Sequence, residues 1–418
     1  MAAGATRLIG LTVLLVCVAA ATRFTTRAAN EQPTDYDVEL AQIRAAIAAL
    51  SGTGAAAPVD AERVTRLAHL LYRRAALTGS AADFRDAEVA IGAAIQQIGP
   101  TDDLSLVRAH LDFALHRFAA AGDDLAGVAD LPDAVALKAD IDVQRGRYDE
   151  ARAGYAAAIQ RSRTWDNLAR LAYLQSVTGD DAAADALYVE AEDEITAKEM
   201  RAYAWVEVQR GLLQLRRGRF PEASALYQHA NRAYSGYWLV EEHLAELYGA
   251  RRQFDAALAL YRTINTRAPK PELAQAVGDL YAFMGKPAEA APWHEQALAG
   301  YLASVQRGDV LYVHHLAGFY ADVRGDGAAA VRWARQDLAV RQSAAAHDAL
   351  AWALYRDDQF QAALGEIDRA LAAGAQDAHL FFHAAMIYLA AGRGDAGRQL
   401  LRHAAEINPR FEAFHVHR

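Results

Sequence analysis

The sequence contains the stretch RGRYDEARAGYAAAI at residues 145–159 and a closely similar one, RRQFDAALALYRTI, at residues 251–264. Two further copies are RGRFPEASALYQHA at residues 217–230 and DDQFQAALGEIDRAL at residues 357–371. In each copy, alanines and large apolar residues recur at three- and four-residue spacing, which is typical of an amphipathic helix. Self-similarity at a fixed period predicts a stack of small structural units rather than a closed globular domain.

The period of the repeat is about 34 residues. Eight copies align on one small residue of the second helix: Ala151, Ala184, Ala223, Ala257, Ala290, Ala330, Ala363 and Gly397. The intervals between them are 33, 39, 34, 33, 40, 33 and 34 residues, so the two long intervals predict insertions near residues 192–203 and 300–311. In six copies a glycine is placed to end the first helix in a left-handed conformation: Gly146, Gly179, Gly218, Gly285, Gly325 and Gly392.

These stretches resemble the second half of the tetratricopeptide repeat, and the resemblance covers roughly residues 60–411. It implies an all-α fold, a right-handed superhelical solenoid of stacked antiparallel helix pairs. It also implies that the first helices line a concave groove, which in this family commonly holds a peptide or protein partner. Such arrays usually have no built-in chemistry and serve as binding surfaces.

The pattern divides the chain into five segments. Residues 1–21 are predicted to be a signal peptide or a short anchor, and residues 22–59 a leader with one short helix and a linker. Residues 60–131 are predicted to hold degenerate N-terminal helical repeats, residues 132–411 a solenoid of about eight repeats, and residues 412–418 a tail.

An apolar run near the N-terminus indicates export. Residues 8–21 (LIGLTVLLVCVAAA) are uncharged and are followed by Arg23 and Arg27. A membrane-spanning helix needs about 20 apolar residues, so this shorter run is typical of a signal peptide cleaved after small residues such as Ala21. We therefore expect a periplasmic or secreted protein; a membrane-anchored protein and a cytosolic one are the alternatives. Cys17, the single cysteine, lies in this run, so the mature chain would carry no thiol.

The charge of the chain argues against nucleic-acid binding. Its formal net charge is −9, and phosphate recognition requires a clustered basic face. We expect no nucleic-acid partner, and membrane association only if the N-terminal segment is not cleaved.

The resemblance assigns a set of first-helix positions to the groove. In the middle repeats these residues are mostly acidic, and in the late repeats they are aromatic with histidines. They predict a partner with positive charge at one end and an apolar or aromatic anchor at the other, because buried aromatic residues dominate binding energy. The predicted partner-binding residues are Arg170, Tyr173, Trp205, Gln209, Glu242, His243, Glu246, Glu272, Gln275, Asp279, Tyr312, His315, Phe319, Trp352, Tyr355, Arg356, His379, Phe382 and His383.

No catalytic or cofactor motif stands out, and neither a Walker loop nor GxSxG is present. His379 and His383 lie four residues apart and are weak candidates for metal ligands, but the HExxH pattern is absent. We therefore expect no cofactor and a non-enzymatic interaction scaffold of the bacterial cell envelope. The alternatives are a periplasmic carrier of a metal or small ligand that uses these histidines, and a cytosolic regulatory adaptor.

Overall fold

The computed structural model describes residues 32–51, 60–128 and 131–415. These residues form 21 α-helices and no strand, which confirms the all-α prediction. The helices are α1 (Asp35–Ser51), α2 (Ala61–Thr78), α3 (Ala81–Ile98), α4 (Asp102–Ala114), α5 (Phe118–Leu125), α6 (Pro132–Gln144), α7 (Tyr148–Arg161), α8 (Trp165–Val177), α9 (Asp181–Glu194), α10 (Met200–Arg216), α11 (Phe220–Ala233), α12 (Trp238–Ala250), α13 (Phe254–Arg267), α14 (Pro271–Phe283), α15 (Pro287–Gln306), α16 (Val313–Gly318), α17 (Gly327–Val340), α18 (Ala344–Arg356), α19 (Phe360–Ala372), α20 (Ala378–Ala390) and α21 (Gly394–Ile407).

The predicted signal segment, the linker at residues 52–59 and the end of the tail lie outside the described residues. Within the described ranges, none of the helices combines the length and the apolar character needed to cross a bilayer.

Consecutive helices pack in pairs, and the pairs stack into a solenoid. Each of the eight aligned small residues lies in the second helix of one pair, from α6–α7 to α20–α21. The first long interval in the sequence corresponds to the loop at residues 195–199 and a longer α10. The second corresponds to α15, which has 20 residues, and to the loop that follows it. All six glycines predicted to end a first helix have positive φ angles.

One tyrosine in each of five successive second helices builds a repeating core. Tyr155, Tyr188, Tyr227, Tyr261 and Tyr301 are among the largest fully buried side chains of the described structure. The ring of Tyr227 lies over Gly211 of the paired first helix, where a Cβ would overlap the ring. The small residue and the aromatic residue of the repeat are therefore complementary parts of one contact.

Successive turns of the superhelix touch one another, which the repeat pattern did not predict. Backbone and side-chain hydrogen bonds join residues 192 to 200 positions apart. The Gln342 amide donates to the Gln144 carbonyl at 2.8 Å, and the Ala344 amide donates to Tyr148 Oη at 2.8 Å. A Cβ on Gly146 would come within 2.5 Å of the Gln342 carbonyl oxygen. This glycine therefore both ends a helix and permits close contact between turns.

Three histidines meet at another contact between turns. His116, which has a φ of 60°, lies with its ring centroid 5.3 Å from that of His314, and His314 lies 4.1 Å from His315. Burial, together with the charge of nearby Arg341, lowers the pKa of His116 to about 3 and that of His315 to about 4, and it also lowers the pKa of His314. We therefore expect all three rings to be neutral in the folded chain at pH 7.

We expect the free energy of unfolding to fall as the pH drops from 6.5 towards 5. The unfolded chain takes up protons on these histidines below their ordinary pKa of 6.5, whereas the folded chain does not. The stabilisation is complete above pH 6.5, and each histidine contributes a loss of at most about 1.4 kcal/mol per pH unit below it. Urea denaturation at pH 7, 6 and 5 measures this slope.

The matched variant is His116→Asn, because asparagine tolerates the left-handed conformation. It should give a shallower decline of stability between pH 6.5 and 5. The comparison is needed because Asp112 acts in the opposite direction: burial raises its pKa to about 6, so the folded chain takes up that proton first. An identical slope in His116→Asn and wild type would contradict the prediction.

Candidate binding sites on the first-helix face

A cavity of about 560 Å³ lies mainly between the first helices α6, α8 and α10. We call it the early-repeat cavity. Its wall is mostly aromatic, and the ring centroids of Trp165 and Trp205 lie 6.4 Å apart at 58°. Tyr173 is 40% exposed, an unusual value for a large apolar side chain in this chain. The aromatic lining residues are Phe113, Tyr155, Trp165, Tyr173, Trp205 and Tyr237.

The charged groups of this cavity are arranged around Arg170. Its guanidinium donates to Asp166 Oδ2 at 2.7 Å, to Asp140 Oδ2 at 3.1 Å and to Asp133 Oδ1 at 3.4 Å. Tyr155 Oη donates to the other oxygen of Asp140 at 2.7 Å. One guanidinium thus faces three carboxylates. Of the charged side chains that line the cavity itself, two are acidic, Asp140 and Asp166, and two are basic, Arg170 and Arg201.

The pKa shifts of these carboxylates follow from their surroundings. Burial raises the pKa of Asp140 although Arg170 and Tyr155 oppose the change. For Asp133, burial is outweighed by hydrogen bonds and charge from His110 and Arg170, so its pKa is lowered. Asp133 and Asp166 keep 45% and 37% of their side chains exposed, and of these two only Asp166 lines the cavity.

Four residues predicted from the sequence line this cavity: Arg170, Tyr173, Trp205 and Gln209. The prediction missed Trp165, Arg201 and Tyr237. Trp165 is the first residue of α8, outside the groove positions that the repeat assigns. Tyr237 comes from the loop before α12, and only the curvature of the solenoid brings it to this site.

A second cavity, of about 880 Å³, lies in the late repeats. In this late-repeat cavity, Trp352 stacks on His383 with centroids 4.2 Å apart, and its Nε1 donates to Asp322 Oδ1 at 2.9 Å. Seven residues predicted from the sequence line the wall: Gln275, Asp279, Trp352, Arg356, His379, Phe382 and His383. The remaining wall includes residues of the C-terminal tail.

The two histidines considered as metal ligands have different partners. His383 Nδ1 lies 3.0 Å from Asp348 Oδ1, and His379 Nε2 donates to the Phe411 carbonyl at 3.1 Å. Burial lowers the pKa of His383, but the charge of Asp348 and the hydrogen bond to it outweigh this effect and raise it. Over residues 32–51, 60–128 and 131–415, no three His, Cys, Asp or Glu side chains are grouped as a metal site requires. The geometry thus offers no support to the alternative of a metal carrier.

The acidic middle of the predicted groove is closed in this structure. Glu242, His243 and Glu246 on α12 are buried, with at most 5% exposed, and His243 Nδ1 lies 3.4 Å from Glu246 Oε2. They are covered because the ring of Tyr227 stacks on His243 and because His415 of the tail contacts Glu246. The expectation that these residues present an open acidic surface does not hold here. Of the other predicted residues, Tyr312 and Phe319 are buried in the core, and Glu272, His315 and Tyr355 are partly buried.

No protein-family profile matches the sequence, and a search of curated proteins finds no match. Among solved structures, the chain is similar to the APC/C hetero-tetramer Cut9–Hcn1, with 16% identity, a TM-score of 0.44 and coverage of 89% of this chain and 79% of that one. It is similar to the human IFIT1 dimer with PPP-AAAA, with 11% identity, a TM-score of 0.45 and coverage of 89% and 95%. It is also similar to a tetratricopeptide repeat protein from Parabacteroides merdae, with 19% identity, a TM-score of 0.35 and coverage of 59% and 94%. At these scores the similarity has no bearing on function.

Proposed function

We propose that the chain is a non-enzymatic scaffold that holds a segment of a partner protein in the early-repeat cavity. The observation that carries this proposal is the cavity of about 560 Å³ walled by six aromatic residues. Large aromatic side chains that border a pocket provide contact area at low entropic cost and dominate many interfaces. Four of the residues that line it belong to the groove positions expected from the repeat.

The charge distribution defines the partner more closely. Asp166 keeps 37% of its side chain exposed on the cavity wall, beside Trp165, and can accept a hydrogen bond from a cation of the partner. The favoured ligand is a peptide segment with one aromatic or large aliphatic anchor and an Arg or Lys within two residues of it. The anchor would pack against the surface that Trp165 and Trp205 together present to the cavity, and the cation would interact with Asp166 or with a ring face.

The location that we propose is the bacterial cell envelope, after export of the chain. The apolar run at residues 8–21 supports it, because its length is that of the apolar segment of a signal peptide. The mass of the mature chain tests it: removal of about the first 21 residues is expected, and an intact Met1 on a cytosolic protein would contradict it.

The net charge of −9 supports a protein rather than a nucleic-acid partner.

Selection from a random peptide display library against the full chain tests the binding site. We expect enrichment of peptides with an aromatic or aliphatic anchor flanked by Arg or Lys. Trp205→Ala should lower the affinity for the tightest-binding peptide by roughly 30-fold, the effect of losing a hot-spot residue. Asp166→Asn should lower the affinity for the same peptide several-fold. This loss should be larger at low salt than at high salt, because salt screens exposed charges. Isothermal calorimetry gives the affinities.

The control variant is Val89→Ala, which removes an apolar side chain that is 72% exposed on α3, away from the cavity. It should bind the selected peptide like wild type. A library that yields no enriched sequence, or peptides that bind Trp205→Ala and wild type equally, would overturn the proposed site.

A further inference from the structure

The segment that follows α21, residues 408–415, turns back onto the first-helix face. We call these residues the C-terminal tail, and they begin four residues before the boundary at residue 412 that the repeat predicted. Asn408 is buried, and Arg410 Nη1 donates to the Gly218 carbonyl at 3.0 Å. The guanidinium of Arg410 also lies 5.0 Å from the centroid of the Phe220 ring. Residues 408–410 are thereby fixed to the turn between α10 and α11, about 190 residues earlier in the chain.

The aromatic side chain of Phe414 occupies a defined position on this face. Phe414 is only 3% exposed, and its ring packs edge-on against Phe283 with centroids 5.7 Å apart. On the other side it lies over Gly249, where a Cβ would overlap the ring. A glycine inside a helix such as α12 costs about 1 kcal/mol relative to alanine. Its absent side chain is what makes room for Phe414.

Phe411 and His415, the other two residues of the tail with aromatic rings, also make specific contacts with the first helices. The Phe411 ring packs against Phe382 at 5.7 Å, and its carbonyl accepts a hydrogen bond from His379 Nε2. The His415 ring stacks on His379 at 4.9 Å and 16°. Its Nδ1 contacts the carboxylate of the buried Glu246. Each of the three rings, those of Phe411, Phe414 and His415, therefore has its own contact on the first-helix face.

We propose that residues 411–415 are an internal ligand, and that the site they fill binds a partner segment of the same pattern: aromatic, two residues, aromatic, histidine. The tail has the features of a peptide ligand, since it is short, non-helical and held largely through side chains. A partner segment with these side chains competes with it for the aromatic pockets and for Glu246. The site is distinct from the early-repeat cavity and does not depend on it.

Competition is expected to be weak in the wild-type chain. A tethered segment has an effective concentration on the order of millimolar, so a free peptide binds well only when the tail is released. Phe414→Asp releases it in the full chain, because a carboxylate is unfavourable among Gly249, Phe283 and their apolar neighbours. The probe is the labelled peptide NPRFEAFH, which has the sequence of residues 408–415.

We expect fluorescence anisotropy to show at least tenfold tighter binding of this peptide to Phe414→Asp than to wild type. Trypsin should cut after Arg410 in the variant and spare that bond in wild type. A peptide with alanine at both phenylalanines should not bind. The double variant Gly249→Leu/Phe414→Asp should not bind either, because leucine at position 249 fills the pocket of the ring.

A folded Phe414→Asp chain with a released tail and no gain in peptide affinity would overturn the proposal, since the tail would then be only part of the core. If that variant does not fold, the wild-type chain provides the test. For this assay the peptide is FEAFH, residues 411–415, which has no arginine and is not a trypsin substrate. At millimolar concentration it should accelerate tryptic cleavage after Arg410, whereas AEAAH should not, and equal rates would refute competition. Sedimentation tests whether a second copy of the chain occupies the site: a wild-type dimer that Phe414→Asp abolishes would overturn the intramolecular assignment.

Trp205→Ala, a variant of the early-repeat cavity, should leave binding of the tail peptide unchanged. Failure of the tail proposal is therefore distinguishable from failure of the proposed function.

Discussion

Tyr227→Ala is expected to lower the free energy of unfolding by about 3–5 kcal/mol, the usual cost of removing a large core aromatic side chain. Tyr227 is fully buried, its ring lies over Gly211, and it stacks on His243 with centroids 5.7 Å apart. The helix pair α10–α11 offers no flexible side chain at Gly211 to fill the cavity that is left. Urea denaturation followed by circular dichroism measures the loss.

Phenylalanine at two equivalent tyrosine positions provides the matched control. The hydroxyl of Tyr227 is buried and has no hydrogen-bond partner among the described residues, so Tyr227→Phe should change stability by less than about 1 kcal/mol. Tyr155 occupies the same position of its repeat but donates to Asp140 at 2.7 Å. Tyr155→Phe should therefore cost about 1–3 kcal/mol, because a buried carboxylate loses a donor. Equal losses of stability in the two phenylalanine variants would contradict the prediction that the hydrogen bond from Tyr155 to Asp140 stabilises the fold.

The second large effect is expected at Arg170. Arg170→Met should destabilise the chain by about 3 kcal/mol, because it leaves the largely buried Asp140, together with the more exposed Asp133 and Asp166, without their shared cation. Arg170→Lys should recover only part of this loss, since one ammonium cannot replace a planar fork that reaches three carboxylates. Chemical denaturation of the variants at pH 7 gives the values.

A double-mutant cycle separates the charge from the packing of Arg170. Asp140→Asn in the Arg170→Met background should restore a substantial part of the stability, because the uncompensated buried charge is then gone. If the double variant is as unstable as the sum of the two single variants, the lost packing of the long arginine side chain is the main cause instead.

Much of the fold could be predicted from short-range patterns. The spacing of apolar residues in stretches such as 145–159 marks each second helix, and glycines such as Gly146 mark the ends of first helices. Most intervals between copies are 33 or 34 residues, and the two longer ones fall where the structure has the loop at residues 195–199 and the 20-residue helix α15. The glycine rule missed equivalent turns at which Arg252 and Asp358 adopt positive φ angles without glycine.

The candidate sites could be predicted only in part. Trp205 and Tyr173 occupy positions that the repeat assigns to the groove, and they line the early-repeat cavity. Glu242 and Glu246 occupy equivalent positions but are buried, because His415 and Tyr227 cover that part of the face. Position within a repeat specifies the side of a helix, but not whether another segment of the chain covers it.

By itself, the sequence determined the helices, the length of each unit and the order in which the units stack, because helix periodicity and turn residues act over a few tens of residues. Only the tertiary structure decided that residues almost 200 positions apart meet, that Tyr237 completes an aromatic cavity and that the tail fills a groove. The physical reason is that the curvature of a solenoid is the sum of small rotations between neighbouring units. A small change in each rotation separates or joins successive turns, and no local pattern of residues encodes that sum.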